Sequence, residues 1–160
     1  MSLEIVLGYD HADEVLKLFG EYMDMLLEGD PTFAEYLTIQ NYDAELRDLT
    51  YKYGLPNGRL YLAYWDGELA GSIALRKIDE ENCELKRMYI KPEFRKRGIA
   101  VTLVKQLIAD AREIGYRYLL LDTLPFLQVA IRMYKNLGFY EIERYNDSPM
   151  DTSIYMKYDL

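Results

Sequence analysis

The sequence concentrates positive charge in a short loop that directly precedes a glycine. Arg95, Lys96 and Arg97 come immediately before Gly98, and apolar residues then recur at helical spacing from Ala100 onward. The first main-chain N–H groups of a helix have no partner within the helix, and the helix dipole adds partial positive charge at that end. Glycine leaves room for a bulky anion to approach the main chain. These residue types in this order predict a site for phosphate or pyrophosphate.

Two widespread phosphate-binding loops do not fit this segment. A Walker loop has lysine and then serine or threonine after its last glycine, whereas Gly98 is followed by Ile99 and Ala100. A dinucleotide-binding loop needs three glycines, and this loop has one. The loop follows a charged, strand-like segment, 83–90, which ends before Pro92 because proline lacks an N–H group and restricts the preceding residue. The predicted order is therefore strand, basic loop, glycine and helix.

Composition limits the class of protein. A chain of 160 residues is expected to form one domain, residues 1–160, with a sizeable core. Apolar runs are too short to span a membrane, and the N-terminus lacks the pattern of a signal peptide. The single cysteine, Cys83, excludes an internal disulfide. We therefore expect a cytoplasmic protein without a membrane partner, and we assign no metal site.

Charge is distributed unevenly along the chain, whose formal net charge is −8. Residues 1–82 carry −11, residues 83–97 carry +4 and residues 98–160 carry −1. Most of such a surface would repel a nucleic acid, so we expect no nucleic-acid partner. One compact anion would still be attracted to the basic loop.

Hydrophobic periodicity predicts about seven strands and about four helices. The strands are expected at about 3–7, 59–65, 68–77, 83–90, 118–122, 139–143 and 153–158, with a hairpin turn at 66–67. The helices are expected from a cap at Asp10 to a break at 29–31, over about 33–53 with a break near Asn41, and over 100–114 and 125–137.

The spacing Arg95-x-x-Gly98-x-Ala100 resembles the pyrophosphate-binding signature of the GNAT family of acetyl-CoA-dependent N-acyltransferases. A second segment, 130–139, resembles the helix and strand that close the family's fold, with Tyr134 four residues before a glycine. The resemblance extends over essentially the whole chain and is strongest to small bacterial members of unassigned substrate. It implies an α/β (α+β) fold: a mixed, mostly antiparallel, twisted sheet with helices on both faces, splayed open at a cofactor cleft.

The resemblance also implies which residues bind acetyl-CoA. The charged strand would contact the pantetheine arm through its main chain, and the basic loop would hold the pyrophosphate. Thr123 follows a central strand, where ligands often bind. One departure is Leu127, which stands where the family often has asparagine, so a polar contact to the arm is lost or moved. The expected binding residues are Met88, Tyr89, Ile90, Arg95, Lys96, Arg97, Gly98, Ile99, Ala100 and Thr123.

Acetyl transfer to an amine needs a base for the amine and an acid for the leaving thiolate. The resemblance implies Glu84 as the base and Tyr134 as the acid, with a main-chain N–H near Met88 or Tyr89 for the developing oxyanion. Alternatives stay open for both side chains. Glu84 would otherwise form an ion pair with Lys86, its neighbour on the same face, and water would relay the proton. Tyr134 would otherwise be an ordinary core tyrosine on an apolar helix face.

The sequence indicates less about the acceptor substrate than about the acyl donor. In the resembled family, the first helices cover the acceptor side, and here that half carries −11. One hypothesis is a cationic amine, either a small molecule or a peptide, and the alternative is that the acidity only keeps the surface soluble. A second class of function, a non-catalytic acyl-CoA-binding sensor on the same fold, also stays open. Homodimers are common in the family, but nothing in the sequence specifies one.

Overall fold

Seven strands form one mixed sheet in the computed structural model, which describes residues 2–160. The sheet order is β1-β2-β3-β4-β5-β7-β6, and every neighbouring pair is antiparallel except β4 and β5. This confirms the predicted fold class and strand count. The strands are β1 (Leu3–Leu7), β2 (Arg59–Trp65), β3 (Glu68–Lys77), β4 (Asn82–Ile90), β5 (Tyr118–Thr123), β6 (Tyr140–Ile142) and β7 (Ile154–Asp159).

Six α-helices and one short 3-10 helix, Pro92–Phe94, accompany the sheet. The prediction of about four helices is too low because the region 33–53 divides into three. Asn41 takes a left-handed conformation (φ 57°) and Asp48 an extended one, so neither continues a helix. The α-helices are α1 (Ala12–Gly29), α2 (Phe33–Ile39), α3 (Tyr42–Arg47), α4 (Thr50–Tyr53), α5 (Ile99–Ile114) and α6 (Gln128–Leu137).

Two predicted helix starts are wrong. Asp10 does not cap α1, because the helix begins at Ala12 and His11 precedes it without a side-chain capping bond. The last helix begins at Gln128 rather than near Pro125, because the intervening residues form a turn in which the Leu127 amide donates to the Leu124 carbonyl. No helix among residues 2–160 combines the length and apolar character needed to cross a membrane.

The core lies on both faces of the sheet. Alternate residues of β2 divide between them: Tyr61 and Ala63 pack in the cluster that contains α5, whereas Leu60 and Leu62 pack in the cluster that contains α1. This is the two-residue period of a strand covered by helices on both sides. The central strands are therefore fixed from both faces, which makes them a rigid support for a site.

Strands β4 and β5 separate after a short region of pairing, which opens the sheet. Their parallel register covers only three pairs, from Asn82–Tyr118 to Glu84–Leu120. Farther along β4, Arg87 has a φ of 58°, and the pairing with β3 shifts register at this point. Such a bulge bends the strand and increases its twist. The result is a wedge-shaped gap between the carboxyl-terminal parts of β4 and β5, as the predicted splayed sheet requires.

Candidate functional site

A cavity of about 520 Å³ occupies the gap between β4 and β5. Its wall also includes residues of α1, α2, α5 and α6, so it extends from the basic loop to the first helices. The structure brings ten of the residues predicted for the site into this wall, and leaves Glu84 and Arg97 outside it. The ten are Met88, Tyr89, Ile90, Arg95, Lys96, Gly98, Ile99, Ala100, Thr123 and Tyr134.

At one end of the cavity, main-chain amides converge with positive side chains. Within the part of the chain that the structure describes, the amides of residues 96–101 donate to no main-chain or side-chain acceptor. Lys96 and Gly98 have φ values of 64° and 78°, which turn the chain tightly into α5. A row of free N–H groups at a helix start, beside Arg95 and Lys96, has the character of a pyrophosphate site. The residues here fit the CoA pyrophosphate that the sequence predicted.

Arg95 is oriented by its neighbours, whereas Arg97 is turned away from the cavity. Arg95 Nε donates to the Ile90 carbonyl at 3.1 Å, and its guanidinium lies 6.0 Å from the centroid of the Tyr89 ring. Arg97 instead stacks 5.3 Å from the centroid of the Trp65 ring. The resemblance implied pyrophosphate binding by both arginines, but in the structure only Arg95 lies in the cavity wall.

Tyr134 presents a protonated hydroxyl to the cavity. The residue lies on α6, is buried, and packs its ring 5.4 Å from the centroid of the Phe139 ring. Burial raises the pKa of Tyr134 well above its ordinary value, with smaller contributions from Tyr22 and Asp122. Its hydroxyl has no hydrogen-bond partner among residues 2–160. Such a group keeps its proton at neutral pH and is free to donate it to a ligand.

Glu84 is buried outside the cavity wall, and both its oxygens are bonded. Arg76, directly opposite on β3, donates from Nε to Oε1 at 2.7 Å, and the Tyr145 hydroxyl donates to Oε2 at 2.5 Å. Burial acts to raise the pKa of Glu84, but Lys86 and Arg76 outweigh it and hold the pKa below its ordinary value. The ion-pair partner is thus Arg76, not Lys86. The hairpin register of β3 and β4 was the signal that could have found it.

The other end of the cavity holds a polar cluster that sequence reasoning missed. Lys86, buried in the wall, donates from Nζ to Gln40 Oε1 at 2.8 Å, and Arg87 Nη2 donates to the same oxygen at 3.0 Å. Arg87 also forms two hydrogen bonds with Glu45, of 2.7 and 2.8 Å. Gln40 is the last residue before the left-handed Asn41, and nothing in local periodicity marks it as a site residue. We call this end of the cavity the acceptor end.

Asp122 completes the acceptor end from β5. Its Oδ2 accepts from the Tyr36 hydroxyl and, at 3.0 Å, from Asn146 Nδ2. Among the described residues, Asp122 is the one acidic member of the cavity wall, whereas four members are basic: Lys86, Arg87, Arg95 and Lys96. The acidic side chains of residues 2–82 therefore lie outside the wall of the cavity.

Cys83 has no part in the cavity. It is fully buried, lies outside the wall, and donates weakly from Sγ to the Tyr118 carbonyl at 3.4 Å. Burial raises the pKa of its thiol to about 12, so the reactive thiolate is scarce at neutral pH. Cys83 behaves as a small apolar core residue, and the geometry does not support a covalent acyl-cysteine step.

Comparison with known proteins agrees with the two sequence motifs. A family model described as "Acetyltransferase (GNAT) family" matches residues 21–139. An uncharacterized N-acetyltransferase of Schizosaccharomyces pombe is 37% identical and aligns over 92% of this chain and 88% of its own. One of Dictyostelium discoideum is 31% identical over 96% of both chains.

Solved structures show the same fold. The PaiA N-acetyltransferase of Thermoplasma acidophilum, in complex with coenzyme A, superposes over 100% of both chains with a TM-score of 0.78 at 21% identity. An acetyltransferase from Streptococcus agalactiae covers 99% of this chain and 98% of its own, with a TM-score of 0.76 at 22% identity. Together with the splayed sheet, the amide-lined loop and the family-model match, these likenesses show that the chain belongs to the acetyltransferase (GNAT) family.

Proposed function

We propose that this protein transfers an acetyl group directly from acetyl-CoA to a primary amine. The observation that carries the proposal is that one cavity wall contains both Tyr134 and residues 96 and 98–101, whose amides are free. Two neighbours of the same fold were crystallised with acetyl-CoA or coenzyme A, from Elizabethkingia anophelis and Thermoplasma acidophilum. This agrees with an acyl donor bound in the cleft.

Acetyl-CoA would supply the acetyl group and leave as coenzyme A. Arg95, Lys96 and the amides of residues 96–101 would bind its pyrophosphate, and Met88, Tyr89 and Ile90 would line its arm on β4. Leu127 also lies in the wall, so the family's frequent asparagine is replaced here by an apolar contact. A main-chain N–H near Met88 or Tyr89 would stabilise charge on the carbonyl oxygen.

The transfer forms a bond from the amine nitrogen to the acetyl carbon and breaks the bond from that carbon to sulfur. Tyr134 would donate its hydroxyl proton to the leaving thiolate, since its raised pKa keeps that proton in place. The amine must lose a proton in turn. Because both oxygens of Glu84 are bonded and the residue does not line the cavity, we propose that cavity water relays this proton, with Glu84 acting behind the relay.

A bound acceptor meets the charges of the cavity wall and not the net charge of the chain. The acidity of residues 1–82 suggested a cationic acceptor, but four basic residues and one acidic residue line the cavity among those described. A polycationic acceptor would meet Lys86 at the acceptor end, which opposes its binding. The wall therefore does not favour the cationic hypothesis.

Thermal unfolding with and without ligands tests the binding part of the proposal. A ligand at about 100 times its dissociation constant adds roughly 2.7 kcal/mol of stability, which raises the midpoint of a domain of this size by about 5–10 °C. We expect this rise with acetyl-CoA and with coenzyme A. ATP, which also has a polyphosphate and an adenosine but no pantetheine arm, serves as the control and should give a much smaller rise. No rise with acetyl-CoA or coenzyme A would contradict the proposed site.

Paired arginine substitutions test the assignment of the loop. Arg95→Gln removes a charge from the cavity wall, whereas Arg97→Gln removes one that lies on Trp65, outside the wall. A hydrogen bond to a charged partner contributes about 1.5–3 kcal/mol, so we expect Arg95→Gln to weaken coenzyme A binding by about tenfold or more. Arg97→Gln should change it by less than about threefold, because only long-range attraction is lost. Isothermal titration calorimetry with coenzyme A measures both, and equal losses would show that the loop rearranges on binding.

A further inference from the structure

The acceptor end contains polar groups that the transfer chemistry leaves unused. Gln40 has its amide orientation fixed by Lys86 Nζ and Arg87 Nη2, which both donate to Oε1. Ammonium and guanidinium groups only donate, so the amide oxygen must face them and Nε2 must face elsewhere. Nε2 is buried and has no hydrogen-bond partner among residues 2–160. A buried donor without a partner is costly, and Gln40 belongs to the cavity wall, so an acceptor atom of a ligand at this position would offset that cost.

Lys86, beside it, donates to Gln40 Oε1 but forms no ion pair with the described residues. Arg87 is neutralised by its bidentate contact with Glu45, at 2.7 and 2.8 Å. Lys86 has no carboxylate within ion-pair distance in residues 2–160, and Glu84, two residues earlier, is occupied by Arg76. The Lys86 side chain is 7% exposed and lies in the cavity wall. A buried ammonium in this position favours an anionic group that enters from the cavity.

Asp122 supplies the opposite charge at the same end. Its Oδ2 accepts from Tyr36 and Asn146, whereas its Oδ1 has no partner among the residues that the structure describes. Tyr36 connects the two charges: its hydroxyl donates to Asp122, and Lys86 Nζ lies 5.7 Å from the centroid of its ring. The Lys86 ammonium and the Asp122 carboxylate therefore both contact Tyr36 in one cavity wall, which suits a small ligand that carries both charges.

We propose that the acceptor is a free amino acid, an amine with a carboxylate a few bonds away. Its carboxylate would bind Lys86 Nζ and Gln40 Nε2, and its amino group would lie toward Asp122. This inference rests on the proposed function, since it names the acceptor of that transfer. Among residues 2–160, Gln40 Nε2 has no partner, and Lys86 Nζ bonds to Gln40 Oε1 but to no carboxylate. A simple amine or a polyamine offers no anionic group to either.

Paired substrates test the inference in the unmodified protein. The substrates are the common L-amino acids, the carboxamide of each, and spermidine, assayed with acetyl-CoA by release of free thiol. We expect kcat/KM for the best amino acid to exceed that for its carboxamide by at least about tenfold, because the carboxamide loses the charge-assisted hydrogen bonds to Lys86. Equal or faster turnover of carboxamides or spermidine, or no turnover of any amino acid, would overturn the inference.

Two substitutions test the residues. Gln40→Glu keeps the oxygen that accepts from Lys86 and Arg87, but it replaces the free donor Nε2 with an anionic oxygen. Lys86→Met removes the charge and keeps an unbranched apolar stem. In both we expect the ratio of acid to carboxamide kcat/KM to fall to near one, a loss of about tenfold. Lys105→Met, an exposed lysine outside the cavity wall, should keep the full ratio.

If Gln40 and Lys86 had a purely structural role, their substitution would lower kcat/KM for the amino acid and for its carboxamide by the same factor. The ratio would then stay intact, which would also overturn the inference. Coenzyme A thermal shift verifies that each variant folds, and either variant alone gives the readout. The thermal shift also distinguishes failure of the proposed acetyl transfer from failure of the amino-acid acceptor. If coenzyme A does not raise the unfolding midpoint of the unmodified protein, the proposed transfer fails. If coenzyme A binds and carboxamides or spermidine are preferred, only the amino-acid acceptor fails.

Discussion

Replacing Tyr134 with phenylalanine should lower kcat for acetyl transfer by about 10²-fold or more, because a positioned general acid contributes 10²–10⁴. The affinity for coenzyme A should stay within about threefold, since the ring keeps its packing against Phe139 and only the hydroxyl is lost. Thiol-release kinetics measure kcat, and thermal shift with coenzyme A measures binding. Unchanged kcat would mean that Tyr134 is a core tyrosine and that the thiolate receives its proton from solvent.

A matched control separates catalysis from stability. Tyr116→Phe removes the hydroxyl of another buried tyrosine, which donates to the Asn57 carbonyl at 2.8 Å and lies outside the cavity wall. This variant should lose roughly 1 kcal/mol of unfolding free energy and keep its kcat. The pair also separates an enzyme from a non-catalytic acyl-CoA sensor. A sensor would bind coenzyme A without turning over any amine, in the parent protein as in both variants.

Glu45→Gln should destabilise the fold by about 3–5 kcal/mol, because it leaves the buried Arg87 and the half-buried Lys52 without their counter-charge. Glu45 is fully buried and pairs with Arg87 at 2.7 Å and with Lys52 at 3.0 Å. Urea unfolding at neutral pH measures the difference. Glu80→Gln serves as the control, since Glu80 is highly exposed and pairs only with Lys77 at the surface; it should cause no measurable change.

The pH dependence of this pair has a defined sign. Burial acts to raise the pKa of Glu45, but Arg87 and Lys52 outweigh it and lower the pKa to about 2. A carboxylate with a depressed pKa in the folded state contributes stability above its unfolded pKa, and this contribution is lost as the pH falls through the folded value. The free-energy difference between the parent protein and Glu45→Gln should therefore shrink between about pH 4.5 and pH 2. A difference that stays constant over this window would show that Glu45 is not held ionised.

The sequence by itself predicted the fold class, through its resemblance to a family, and the basic loop that the structure places at one end of the cavity. Several features depend only on residues that are close together in the sequence, so local patterns predict them. They are the strand and helix periods, the hairpin at 66–67, and the order of strand, basic loop and Gly98. The resemblance of segment 130–139 to the family's closing helix and strand indicated Tyr134, which the structure places in the cavity wall. Helix counts and starts were less accurate, since Asn41 and the turn before Gln128 are decided by single backbone dihedrals and local hydrogen bonds.

Only the tertiary structure decided the acceptor end. Gln40 directly follows α2, Lys86 lies on β4 and Asp122 on β5, and they share one cavity because the sheet opens where β4 and β5 separate. The pairing of β3 with β4 places Arg76 opposite Glu84, which lies outside the cavity wall, whereas the sequence offered Lys86 as its ion-pair partner. Side-chain partners across strands depend on register and bulges, which a single chain's composition does not encode locally. The charge of the cavity therefore differs from the charge of the segment that covers it.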